Sequence, residues 1–365
     1  MPSNKQVAPR SWRGHHAHDL EEEKRSRSGG EPTPMVLTDI PGVGDPLITA
    51  AWLYYHENMT QAEIAEVLKV SRPSVANLLA RARDTGVVEI RVRTDYLTAM
   101  RLSRQFRERF GLDQVVIVPT PPGAGTTAIQ RSLGKAGALY LESVLRPGEI
   151  LVTAWGAMML EVALALSYRP VPGVTIAQSL GGLSTADDFN PTRVAALMGE
   201  RLGARVYHLY VPCVVESREV RDVLMRDRNI HSAFEVARSA HRAMIGIGKA
   251  ASDATVVRAG FITSMQMDEL RAKGAVGDVM GRFFDLRGRP VPTEMNERIM
   301  ALSLDDLARI NPVIAVAGGS EKVEAILGAV RGRYVDVLIV DERTARAVLE
   351  LAGPAPATGT LRQPT

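Results

Sequence analysis

Arg72, Ser74, Asn77 and Arg81 lie close together in a stretch whose apolar residues recur at helical spacing. Arg can reach guanine or phosphate, Asn can read adenine, and Ser can hold a phosphate oxygen, so the set carries chemistry suited to a duplex major groove. Val75, Leu78, Leu79 and Ala82 form the apolar stripe of the same helix and must pack inward, which turns the polar set outward. Ser71 is placed to cap this helix, and Pro73 is tolerated in its first turn.

A reader of this kind needs a partner helix. Thr60 followed by Glu63 is a capping box that starts a helix at Gln61, with Ile64, Ala65 and Leu68 on its apolar side. Lys69 and Val70 leave room only for a tight turn, the connection of a helix-turn-helix. The two helix starts add Thr60, Gln61 and Ser71 to the expected DNA contacts. Asp45 to Glu57 is expected to cover the pair with Leu47, Ile48, Ala51, Trp52 and Tyr55, and alternation from Val87 to Arg93 predicts a wing strand bearing Arg91 and Arg93. A plain bundle with solvated charges is the competing reading, but cap, turn, inward stripe and outward polar set all agree. Six acidic and six basic side chains balance between Asp45 and Arg93, so attraction rests on local placement and paired modules rather than on bulk charge.

A second constellation lies at strand ends. Thr153-Ala154-Trp155-Gly156, Ser179 to Leu183 with Gly181 and Gly182, and Ala317 to Lys322 with Gly318 and Gly319 each follow an apolar strand. Small residues there let backbone amides approach a ligand, and helix starts favour anions. Lys322 opposes the dipole of its own helix, which suggests an anionic or polar partner. Asp278, among glycines and apolar residues in GAVGDVMGRFFD, needs hydrogen-bond donors such as ligand hydroxyls.

The elements that carry these residues alternate from Gln114 onward. Strands are expected at 115–119, 149–156, 174–182, 204–211, 243–248, 313–319 and 335–341, with amphipathic helices between them, which gives a Rossmann-like, largely parallel α/β sheet covered on both faces. The chain divides into a tail (1–44), a winged helix-turn-helix (45–93), a linker or oligomerisation helix (94–112), an α/β domain with the candidate ligand site (113–352) and a second tail (353–365). On the linker helix Leu97, Met100, Leu102, Phe106 and Phe110 are expected along one face.

Hydrophobic content of 45% and charge of 23% over 365 residues describe a soluble globular class, and a net charge of +3 decides little. The single Cys213 cannot make an internal disulfide, which fits a cytoplasmic protein. No apolar run reaches the roughly 20 residues of a membrane span, and the N-terminus lacks a secretion signal. His15, His16 and His18 lack cysteine or patterned carboxylate neighbours, so no metal site and no cofactor is expected.

The stretches MTQAEIAEVLKVSRPSVANLLARARDTGVVEIRV, LRPGEILVTAWG, AVGDVMGRFFDLRGRPV and INPVIAVAGGSEKVEAILGAVRGRYVDVLIVDERTARAVL resemble the SorC family of sugar-responsive bacterial transcription regulators. The resemblance implies an effector domain similar to sugar-phosphate isomerases, a homo-oligomer (tetramer or dimer) on operator double-stranded DNA, and control of a carbohydrate or polyol operon. It places a sugar, sugar-phosphate or polyol effector against Thr153, Trp155, Gly156, Gly181, Gly182, Asp278 and Lys322, with Asp341 and Thr344 bordering the same edge. Where the family often has a hydroxyl-bearing residue after the Trp-Gly pair, Ala157, Met158 and Met159 stand here, which favours an unphosphorylated ligand. The rival reading is a sugar-phosphate isomerase with Asp278 as base and Lys322 as electrostatic stabiliser; a third is a scaffold with a degenerate pocket.

Overall fold

The computed structural model describes residues 44–89, 94–121, 123–183 and 188–354. It divides into two compact units at Arg91 and Val92. In the first, α1 (Pro46–Tyr55), α2 (Gln61–Leu68) and α3 (Arg72–Asp84) pack around Ala50, Ile64, Val75 and Leu79, with Leu47, Ala51 and Ala82 in an adjoining cluster. Each helix begins at a side-chain cap: Asp45 for α1, Thr60 with Glu63 for α2, Ser71 for α3. Lys69 takes a left-handed conformation (φ 53°) at the end of α2, and Val70 N–H donates back to Ala65 O, so the chain turns within a few residues.

Two expectations for α1 need correction. Trp52 and Tyr55 are each 40% exposed rather than buried over the reader. The burying stripe runs through Leu47, Ala50, Ala51 and Tyr54, and Trp52 falls off it and stacks instead on His56 at 3.8 Å. The expected wing falls largely outside the described residues; Val87 to Glu89 carry no strand, and Val88 N–H closes onto Ala82 O. The two tails likewise lie outside them, apart from Gly44, Gly353 and Pro354.

The second unit opens with α4 (Thr94–Phe110). Its Leu102 and Phe106 are buried in the core of the sheet that follows, whereas Leu97 and Met100 are 39% and 67% exposed. At 3.6 residues per turn, 97 and 100 fall opposite the 102–106–110 row, so the expected single apolar face is two faces.

The strands are β1 (Gln114–Val118), β2 (Ile150–Thr153), β3 (Thr175–Gln178), β4 (Arg205–Tyr207), β5 (Arg242–Gly246), β6 (Gly248–Lys249), β7 (Ala275–Val279), β8 (Arg282–Asp285), β9 (Val313–Val316) and β10 (Val337–Asp341). Seven form one sheet in the order β1-β10-β9-β5-β2-β3-β4, parallel at every pairing. Every residue of β9 and β10 is buried, as strands covered by helices on both faces require. The other three form a small antiparallel sheet, β6-β7-β8. Its hairpin turns at Met280 (φ 53°) and Gly281 (φ 78°), two left-handed residues whose twist matches the strands. Local pattern does not reveal this hairpin, because Met-Gly is not a common turn pair.

Candidate ligand cavity and DNA-facing helix

In the first unit, Arg72, Ser74, Asn77 and Arg81 are exposed on α3 while Val75, Leu79 and Ala82 are buried. Thr60 and Ser71 spend their hydroxyls on the N–H groups of Glu63 and Ser74, both at 3.3 Å, and Thr60 N–H is held by Glu63 Oε2 at 2.8 Å. Their role visible here is to fix the two helix starts, with Gln61 half-buried beside them.

In the second unit, a cavity of about 400 Å³ opens beyond the carboxyl ends of β2 and β5 and beside the loop after β9, over the middle of the large sheet. Trp155 and Gly156 come to it from β2, Gly248 and Lys249 from β6, Asp278 from β7, and Lys322 from the β9 loop. Four of the expected ligand residues, Trp155, Gly156, Asp278 and Lys322, therefore meet in one place.

The other five do not line it. Thr153 is buried and its hydroxyl donates to Ala154 O. Gly181 and Gly182 spend their N–H groups on Met300 O (2.9 Å) and Val211 O (2.8 Å), and a Cβ at 181 would lie 2.4 Å from Val211 O. These glycines serve a close backbone crossing. Gly318 and Gly319 belong to the loop after β9 but do not face the cavity, the N–H of Gly319 being held by Asp341 Oδ2 and Thr344 Oγ1.

Asp278 is 4% exposed. Its Oδ2 accepts from Gly281 N–H at 2.9 Å, a bond the hairpin turn supplies, and its Oδ1 has no partner among the described residues. Burial pushes its carboxyl up to about 6, against the opposing pull of the Gly281 bond and of Lys322. Lys322 donates to Ile247 O at 2.9 Å, and burial holds its ammonium below the usual lysine range while Glu321 and Asp278 pull the other way. Lys249 pairs with Asp253 at 2.7 Å. The charged lining residues are Lys249, Arg258 and Lys322 against Asp253, Asp278 and Glu321, a balance that favours neither sign.

Helix starts break that balance. Side chains cap α1, α2, α3 and the helices Pro191–Leu202, Arg218–Arg226, Arg228–Arg238, Ser264–Ala272 and Glu342–Ala352. The helices Thr126–Val144 and Ala157–Ala165 have no side-chain cap, and Thr126 and Ala157 at their starts line the cavity; Val323–Arg331 is uncapped too but runs on from the tight turn Ser320–Lys322, and Thr255, at the start of the uncapped short helix Thr255–Arg258, also lines the cavity. The bare starts at Thr126 and Ala157 are each worth roughly half a positive charge, so the cavity offers amide donors and positive potential without a hydroxyl after Gly156. Trp155 closes one wall, its ring stacked 6.1 Å from Phe261. Lys249, Asp253, Arg258, Thr126 and Gln130 are lining residues that sequence reasoning misses; the first three come from a segment without periodicity, and only the Lys249–Asp253 spacing hints at a pair.

A family model described as "Putative sugar-binding domain" matches residues 94–350, and one described as "MarR family" matches residues 46–95. The chain is 34% identical over 309 residues to an uncharacterized transcriptional regulator, YjhU, of Escherichia coli K12, covering 84% of this chain and 94% of that protein. It is 34% identical over 305 residues to the deoxyribonucleoside regulator of Bacillus subtilis 168, covering 83% and 96%. Among solved structures, the full-length sorbitol operon regulator SorC of Klebsiella pneumoniae superposes with a TM-score of 0.66 at 29% identity, covering 83% of this chain and 97% of that one.

Proposed function

Because the chain belongs to the SorC family of DNA-binding transcriptional regulators, we propose that it reads an operator through α3 and is switched by a small polyhydroxylated effector in the cavity of its second unit. The observation that carries the DNA half is the division of α3 into a buried Val75–Leu79–Ala82 stripe and an exposed Arg72, Ser74, Asn77 and Arg81 set. Arg72 and Arg81 supply phosphate or guanine contacts and Asn77 a base contact, with Thr60, Gln61 and Ser71 presenting the helix starts to the backbone. The protein acts in the cytoplasm as a homo-oligomer, since paired half-sites need paired readers; among the described residues no helix is long and apolar enough to cross a membrane.

The effector half rests on the open Oδ1 of Asp278, which calls for a hydroxyl donor, and on the two bare helix starts at Thr126 and Ala157, which call for an anionic group. A sugar phosphate or sugar acid has both, and a neutral polyol has only the first. The effector must bind one arrangement of the assembly better than another, since equal affinity shifts nothing. A thermal-shift screen of sugars, polyols and their phosphates tests this, with Asp278→Ala and Lys322→Ala in parallel. Stabilisation of the wild type by a phosphorylated member, lost in both variants, is the expected result; no shift with any compound contradicts it. Turnover of the same sugar phosphates, expected to be absent, would revive the isomerase reading.

A further inference from the structure

The loop that brings Lys322 to the cavity and the last turn of α4 are joined by one helix, Glu342–Ala352. At its start, the Asp341 carboxylate accepts from Thr344 N–H (Oδ1, 3.0 Å) as the helix cap and from Gly319 N–H (Oδ2, 3.0 Å) in the cavity loop; Thr344 Oγ1 accepts from the same Gly319 N–H at 2.8 Å. Gly318 packs so closely that a Cβ there would lie 2.2 Å from Asp341 Oδ2, so the loop has no slack against the carboxylate. At its end, Arg109 of α4 donates to Ala352 O at 2.6 Å and to Pro354 O at 3.2 Å. Between the two grips, Thr344, Ala345 and Val348 are buried against the sheet.

We propose that Glu342–Ala352 is the coupling rod between cavity and linker, with Asp341 and Arg109 as the positioning residues at its two ends. Eleven helical residues make a stiff body about 16 Å long, and close-packed interiors move such a body as a unit rather than deforming it. A ligand that pulls Lys322 displaces Gly319, and Gly319 carries the helix cap with it. The far end then moves Arg109 and the buried Phe106 turn of α4, the first element of the chain after the DNA-reading unit. Two sites coupled this way must act on each other in both directions. This rests on the regulator reading for its purpose, but its mechanics can be measured without any ligand.

The test is hydrogen exchange in the full-length protein, comparing wild type, Arg109→Ala, Arg109→Lys and Arg101→Ala, the last an exposed site on the same helix. Arg109→Ala is expected to speed exchange of the Gly319 amide by about threefold or more, Arg109→Lys to restore it in part, and Arg101→Ala to leave it unchanged. Asp341→Asn, checked for intact secondary structure by circular dichroism, is expected to speed exchange in the last turns of α4. Changes confined to residues around 109 and 352 in Arg109→Ala overturn the proposal, whatever Asp341→Asn does. Wild-type protein that binds no operator would count against the regulator reading alone and leave the exchange result standing.

Discussion

Gly248 and Asp278 face each other across the β6–β7 ladder so closely that a methyl group at 248 would lie 1.8 Å from Asp278 Oδ1. Oδ2 of the same carboxylate is tied to Gly281 N–H at 2.9 Å, so turning Oδ1 away from a methyl group strains that bond. Gly248→Ala should therefore either swing the carboxylate out of the cavity or prise β6 from β7. The expected outcome is a loss of about 1–3 kcal/mol of stability, typical of overpacking, together with loss of effector-induced thermal shift, both read by differential scanning fluorimetry. A variant that melts and binds like wild type would show that Asp278 is not held where described.

Asp278 also sets a pH dependence. Its folded-state value of about 6 lies above that of an unfolded-chain aspartate, so the folded protein binds this proton more tightly than the unfolded chain does. The stability from this group is fully present below the unfolded value and is lost as pH rises through about 6. Asp278→Asn, which cannot ionise, should be the more stable protein near neutral pH, by up to about 3 kcal/mol, and should converge with wild type near pH 4. Urea titrations at several pH values check this; a gap that does not change with pH contradicts it.

On α3, the exposed Arg72 and Asn77 predict separable effects. Asn77→Ala should cost about 1–3 kcal/mol of operator affinity and relax base preference at one position, while Arg72→Ala should lower affinity and, if it meets phosphate, reduce the salt slope by about one. Fluorescence anisotropy across a salt series measures both. Neither change should alter the effector-induced thermal shift, because the two sites belong to different compact units.

Ser71 holds α3 at its start through Ser74 N–H. Ser71→Ala should destabilise the first unit by about 1 kcal/mol, and Ser71→Asp, which can still accept the bond, should recover it. The comparison separates capping from any direct contact of Ser71 with DNA, since an acidic cap would repel phosphate and weaken operator binding while restoring stability.

The α3 helix is legible in the sequence because its signals are local: a cap at Ser71, a turn at Lys69 and a stripe through Val75, Leu79 and Ala82. The large sheet is legible for the same reason, since fully buried parallel strands read as short apolar runs. Trp155, Gly156 and Lys322 can be singled out by the rule that ligands sit beyond strand ends, and Asp278 as a carboxylate set among glycines and apolar residues, where it needs donors. What stays hidden is non-local. The amides of Gly181 and Gly182 look available until Met300 and Val211 are seen to use them, and the burial of Trp52 or Leu97 depends on which side of a helix the neighbouring elements occupy. The uncapped helix starts at Thr126 and Ala157 are written in the sequence as missing Ser, Thr, Asp or Asn before them, but only the fold shows that they meet.

The central claim is that occupation of one cavity changes how the protein holds DNA. The most direct measurement is anisotropy of a labelled fragment from upstream of the protein's own gene, titrated with full-length protein with and without the best-stabilising sugar phosphate from the thermal screen. The expected result is a shift of operator affinity by roughly 5–150-fold in either direction, abolished in Asp278→Ala. Tight operator binding that is the same with and without a compound that demonstrably fills the cavity would contradict it.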